Sequence, residues 1–261
     1  MKSISQKIDY IRDENDSFQT YLDKAIQYQF RCIFARNKEE YDYAKDYLKN
    51  KDCIIAGAID FPEGKMTLNE KLEMFKTYAS YGFQEIDYVL NQDHVEKGDL
   101  DKIEEEMSTI HQFCIKHNIQ EKVIVEMCKL DGREEIKEEI CKIAKRVKPA
   151  FLKTSTGRSF KGADLNDVIL MKNILKDEVK IKASGGIRHL QQAQKFFEAG
   201  ASVIGATSAI QIIKGGTKML NFDENRVRTE HQNGVNLIPE VEKIVDKICE
   251  DGYSNIFLFG I

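Results

Sequence analysis

Residues 179–208 read VKIKASGGIRHLQQAQKFFEAGASVIGATS. Apart from its lysines, the run 179–183 is apolar, and it passes directly into Ser184-Gly185-Gly186. Ala193 and Phe197 then lie one helical turn apart, and Gly200 stands where a left-handed residue closes a helix. A second apolar run, 201–206, follows and ends in Gly205-Ala206-Thr207-Ser208. The order is strand, glycine turn, helix, strand, which is one βα unit passing into the next.

The same unit recurs upstream. Runs that read as buried strands occupy 30–35, 53–59, 84–90, 122–128 and 150–154. With the two later runs their mean spacing is about 28 residues, the length of a strand, a helix and two short loops. Between them Leu68, Leu72, Phe75 and Ala79 share one helical face, as do Ile103, Met107, Ile110 and Cys114. Thr67 and Glu70 form the capping-box pair that starts a helix. A shorter run at 6–11 supplies an eighth strand. Eight βα units in 261 residues predict an α/β fold, a (β/α)8 TIM barrel, whose usual length is ~250 residues. An open, doubly wound sheet calls for a Gly-x-Gly-x-x-Gly turn after an early strand, and none is there. Residues 1–261 are expected to form a single barrel domain, with 217–261 as a C-terminal extension. Within it, 237–249 has the pattern of an amphipathic helix near Pro239, followed by Tyr253.

Lys and Arg number 39 against 43 Asp and Glu, a net charge of -4, so nothing favours a phosphate backbone and no nucleic-acid partner is expected. No stretch approaches ~20 apolar residues, and the first 17 residues lack the apolar core of a secretion signal, so no membrane contact is expected and the expected location is cytoplasmic. Cys32, Cys53, Cys114, Cys128, Cys141 and Cys249 form no Cys-x-x-Cys pair, and His111 and His117 fall on different faces of one helix. No metal and no cofactor are expected.

Charge inside an apolar strand needs a reason. Asp87 interrupts Ile86 and Tyr88, Glu126 follows Val123-Ile124-Val125, Lys153 follows Phe151-Leu152, and Lys182 follows Ile181. Any one alone reads as a strand-end residue turned to solvent, or as half of an ion pair. Together, two lysines on consecutive late strands converge at the C-terminal mouth of a barrel. Burial and like charge both favour a neutral amine, which is a nucleophile toward carbonyls, and Asp87 can move protons. The glycine turns at Gly185-Gly186 and Gly205 to Ser208 follow the last two strands, where barrels often hold phosphate on free backbone N–H groups. Arg158 can add a cation there.

These residues resemble the deoxyribose-phosphate aldolase family. Its signature stands here as Lys153-Thr154-Ser155-Thr156-Gly157, followed by Lys182-Ala183-Ser184-Gly185-Gly186-Ile187-Arg188 and preceded by Glu85-Ile86-Asp87. Glu198-Ala199-Gly200-Ala201 and Ile204-Gly205 extend the match. The resemblance implies a metal-free class I aldolase that reversibly cleaves 2-deoxyribose 5-phosphate to acetaldehyde and glyceraldehyde 3-phosphate. Lys153 would form the Schiff base, Lys182 would lower its pKa, and Asp87 would serve as acid or base. Gly185, Gly186, Gly205, Thr207 and Ser208 would hold the phosphate with Arg158, and Asp9, Cys32 and Glu126 become pocket candidates. A homodimer is the expected assembly. Asp9-Tyr10-Ile11 lacks the hydroxyl of the family's Asp-x-Thr, Asn91-Gln92 departs from the family after the aspartate strand, and the chain beyond Gly216 is long. Those departures leave two alternatives: a Schiff-base lyase for another phosphorylated aldehyde or ketose, and a noncatalytic sugar-phosphate-binding barrel.

Overall fold

A computed structural model of the chain describes residues 3–159 and 161–215. Eight parallel strands close into a barrel in chain order: β1 Ile8–Tyr10, β2 Cys32–Phe34, β3 Ile54–Ile59, β4 Glu85–Val89, β5 Gln120–Ile124, β6 Phe151–Lys153, β7 Lys180–Ser184 and β8 Val203–Ala206. The last strand returns to the first with Asp9 opposite Gly205. The connecting helices are α1 Phe18–Tyr28, α2 Lys38–Tyr47, α3 Leu68–Tyr81, α4 Gln92–Lys97, α5 Leu100–His117, α6 Glu134–Val147, α7 Leu165–Leu175, α8 Leu190–Glu198 and α9 Ala209–Ile213. This is a (β/α)8 TIM barrel.

The helices form where side-chain spacing gives each one apolar face. In α5 that face is Ile103, Met107, Ile110 and Cys114, all fully buried. Thr67 and Glu70 close the expected capping box of α3, and Gly200, with φ of +115°, follows the end of α8.

Register then places the charges. In parallel strands, partners in register face the same side of the sheet. Lys153 is the partner of Lys182, Asp87 of Lys122, and Asp9 of both Cys32 and Gly205. The barrel interior therefore carries acids and lysines where most barrels carry branched apolar residues.

One strand is shorter than the sequence suggests. β5 stops at Ile124, Glu126 takes a left-handed conformation, and Met127–Leu130 is a 3-10 turn, so Glu126 and Cys128 stand beyond the strand rather than in it. The carboxylate of Glu126 is drawn instead to the loop after β6 by hydrogen bonds described below. The extension 217–261, with its helical pattern and Tyr253, lies outside the described residues. Among the described residues no helix is long and apolar enough to cross a membrane.

Candidate active site

Seven charged side chains from six strands and their ends meet inside the barrel. Asp87 is the hub: its Oδ2 accepts from Lys153 Nζ at 2.7 Å and from Lys182 Nζ at 2.8 Å, while its Oδ1 accepts from Lys122 Nζ at 3.0 Å. Lys182 also pairs with Asp9 at 2.7 Å, and Lys122 with Glu85 at 2.6 Å. Arg31 closes the base of the network, with two bonds to Glu85 and one to Asp9. Aromatic rings shield the cations: Lys182 lies 4.9 Å from the centroid of Phe34, and Lys153 lies 5.6 Å from that of Phe61.

Counting charges identifies the group that gives up a proton. The network holds four cations, Arg31, Lys122, Lys153 and Lys182, against three carboxylates, Asp9, Glu85 and Asp87. One cation is in excess, and deprotonating it brings the cluster to neutrality. Lys182 has two carboxylate neighbours and Lys122 three, whereas Lys153 has Asp87 alone. Burial acts most strongly on Lys153, Asp87 opposes it, and Lys182 and Lys122 add repulsion; together they bring Lys153 down from 10.5 to about 8. Asp87 goes the other way. Burial disfavours its charge, but Lys122, Lys153 and Lys182 outweigh burial and hold it well below the ordinary carboxylate range. For Asp9, burial is likewise outweighed by Lys182, Lys122 and Arg31, leaving it at about 2. Asp87 is thus an ionised acceptor in the resting site, not an acid.

Lys153 and Asp87 line a cavity of about 380 Å³, with Phe34, Ala58 and Phe61 among its walls. A second cavity of about 250 Å³ adjoins it, lined by Thr156, Gly157, Gly185, Gly186, Gly205, Thr207 and Ser208. Ile11, Phe61 and Arg158 belong to both walls, so the lysine and the glycine turns open onto one cleft.

The glycines have separate reasons. Gly185, at φ +95°, packs against two other glycines: a Cβ there would sit 2.7 Å from Gly157 Cα and 2.8 Å from Gly162 Cα. Gly205 lies within β8, and a Cβ there would stand 2.2 Å from Ser184 Oγ and 3.2 Å from Lys182 Cε. Its missing side chain makes room for Lys182 as well as lining the smaller cavity. The N–H groups of Arg188 and His189 both donate to Gln192 Oε1, so these two donors are engaged at the start of α8. Arg158 is exposed and pairs with Glu14 at 3.2 Å.

Two pocket candidates fall elsewhere. Cys32 is fully buried in β2, donates to the Ile33 carbonyl, and is not among the residues lining either cavity; burial pushes its thiol well above the usual range. Glu126 is also buried. Its Oε2 accepts from Thr156 N at 3.2 Å and Thr156 Oγ1 at 2.6 Å, and its Oε1 from Cys128 Sγ at 3.5 Å. It holds the loop after Lys153 from behind. Asp9 reaches the site through Lys182.

No protein-family model matches the chain. The deoxyribose-phosphate aldolase of Lactobacillus acidophilus is 39% identical over 190 residues, 73% of this chain and 79% of that protein. That of Staphylococcus epidermidis is 35% identical over 209 residues, 80% of this chain and 91% of that protein. The chain belongs to the deoxyribose-phosphate aldolase family. Membership makes it an enzyme of the lyase class. The solved structure of the aldolase QR15 matches with a TM-score of 0.72 at 29% identity, over 82% of this chain and 96% of that one. A tetrameric deoxyribose-phosphate aldolase from Aeropyrum pernix shares the fold, with a TM-score of 0.72 at 24% identity over 83% of this chain and 92% of that one.

In this aldolase-family chain, inspection of the sequence alone misses Arg31 and Lys122. Lys122 opens its apolar run and Arg31 is second in its own, positions where a charge reads as a strand end facing water. The available signal was parity: Glu85 and Asp87 are two apart and point inward together, so buried cations had to lie opposite them.

Proposed function

We propose that the chain is a class I aldolase that reversibly cleaves 2-deoxyribose 5-phosphate to acetaldehyde and glyceraldehyde 3-phosphate through an imine on Lys153. The observation that carries this reading is Lys153 itself: a buried amine with one carboxylate partner, on the wall of a cleft, at about 8 rather than 10.5. At pH 7 about one molecule in ten then holds the neutral amine, against about one in three thousand for an ordinary lysine.

The roles follow from the contacts. Lys153 adds to the C1 carbonyl of the open-chain sugar, and loss of water gives a protonated imine that keeps one N–H directed to Asp87. Asp87, held ionised by Lys122 and Lys182, stabilises that cation and accepts protons relayed through water. Lys182, fixed between Asp9 and Asp87, keeps a positive charge beside the reacting nitrogen. In cleavage the proton of the 3-hydroxyl passes to a base, the C2–C3 bond breaks, and its electrons enter the imine to give an enamine. The 5-phosphate lies toward Gly185, Gly186, Gly205, Thr207 and Ser208, with Arg158 at the boundary of the two cavities. Cys32 and Glu126 have no substrate contact in this reading.

Incubation with acetaldehyde and borohydride, followed by peptide mapping, tests it. An added ethyl group on Lys153 is expected; a label on Lys182 or Lys122 would reverse the assignment. The product pair is checked by coupling glyceraldehyde 3-phosphate release to a dehydrogenase.

A further inference from the structure

The larger cavity does not end at Lys153. Its wall runs on around the barrel mouth, past the turn after β8, to Arg12 after β1 and Ala35-Arg36 after β2. Its volume of about 380 Å³ is room for about ten waters, whereas acetaldehyde has three heavy atoms. A two-carbon donor fills only a small part of that space, which the acceptor aldehyde also enters.

The charge at that end is specific. The Arg12 guanidinium is mostly buried and pairs with Glu40 at 3.1 Å. The Arg36 guanidinium is exposed and has no carboxylate partner among the described residues. Its backbone is nevertheless held on both sides: the N–H donates to Glu40 Oε2 at 2.8 Å, and the carbonyl accepts from the Tyr78 hydroxyl at 3.0 Å. The same wall includes Phe34, Ala35 and Ala58, an apolar surface, and one further carboxylate, Glu14, which is paired with Arg158.

We propose that Arg12 and Arg36 form a second anion subsite, and that the enzyme therefore also takes donors whose imine-forming carbon bears an anionic arm, namely methyl ketones carrying a carboxylate. This rests on the Lys153 imine proposed above. The chemistry balances without a further reagent. The amine adds to the ketone and water leaves; the methyl carbon loses a proton to give the enamine; the enamine attacks an aldehyde, whose oxygen takes a proton; water then hydrolyses the new imine and frees the lysine. The glycine turns follow β7 and β8 and the arginines follow β1 and β2, so the resulting substrate carries one anion toward each of two successive parts of the barrel mouth.

The experiment compares borohydride trapping of Lys153 by acetaldehyde, by levulinate and by the neutral methyl ester of levulinate. Levulinate is expected to reach half-trapping at about tenfold lower concentration than its ester, the size of one charge-assisted hydrogen bond. Added salt should narrow that ratio, and Arg36→Gln should bring it close to one. Equal trapping by levulinate and ester, with acetaldehyde still labelling Lys153, overturns the subsite alone. Absence of any label from acetaldehyde overturns the imine reading beneath it. A preference for levulinate that survives in both Arg36→Gln and Arg12→Gln places the anion elsewhere and refutes the assignment.

Discussion

Replacing Lys182 by methionine removes one positive charge from beside Lys153 while keeping an unbranched chain in the barrel. The two ammonium nitrogens share Asp87 Oδ2 at 2.7 and 2.8 Å, so they stand at most about 5.5 Å apart. At an effective dielectric constant of ~20 their repulsion is about 3 kcal/mol, or about two pKa units. Asp9, 2.7 Å from Lys182, cancels part of that charge and brings the expected effect nearer one unit. The direction is fixed by two causes that agree: a cation that repels the protonated amine is gone, and Asp87, no longer shared with Lys182, attracts it more strongly. The acid limb of kcat/KM, which reports the free enzyme, should therefore move from near pH 8 to about pH 9. Folding should survive, because Asp87 keeps Lys122 and Asp9 keeps Arg31. The assay is the pH dependence of deoxyribose 5-phosphate cleavage, with circular dichroism as the check on folding. A folded variant whose acid limb stays in place would refute the paired-lysine account.

Asp87→Asn should shift the same limb the opposite way, to lower pH, since Asp87 is the group that holds the proton on Lys153. Its turnover should fall by about 10²–10⁴ while borohydride trapping persists. Glu126→Ala should cost about 1–3 kcal/mol in urea unfolding, because the Thr156 N–H and hydroxyl lose their acceptor. Glu126→Gly should be milder by about 1 kcal/mol, since position 126 has φ of +66°. Gly205→Ala should damage cleavage of phosphorylated and unphosphorylated deoxyribose alike, because its Cβ meets Ser184 and Lys182 before it meets a phosphate; a loss confined to the phosphorylated substrate would show the crowding to be unimportant.

Local chemistry was legible without coordinates. The alternation of apolar runs with helical faces, Thr67 and Glu70 at the start of α3 and Gly200 after α8 are properties of neighbouring residues, and they were enough to specify the barrel. Lys153, Lys182 and Asp87 were visible as charges in strands because burial of a charge is costly wherever the strand lies. What neighbours cannot show is which lysine is neutral. That depends on a sum over groups far apart in the chain: Lys182 and Asp87 are 95 residues apart, and Lys153 and Asp87 are 66. Only closure of the barrel sets Lys122 and Arg31 against Asp87, Glu85 and Asp9, leaves Lys153 with one carboxylate, and separates the cleft from Cys32. The two uses of Gly205 are likewise a fact of packing, since Ser184 and Lys182 reach it across the sheet rather than along the sequence.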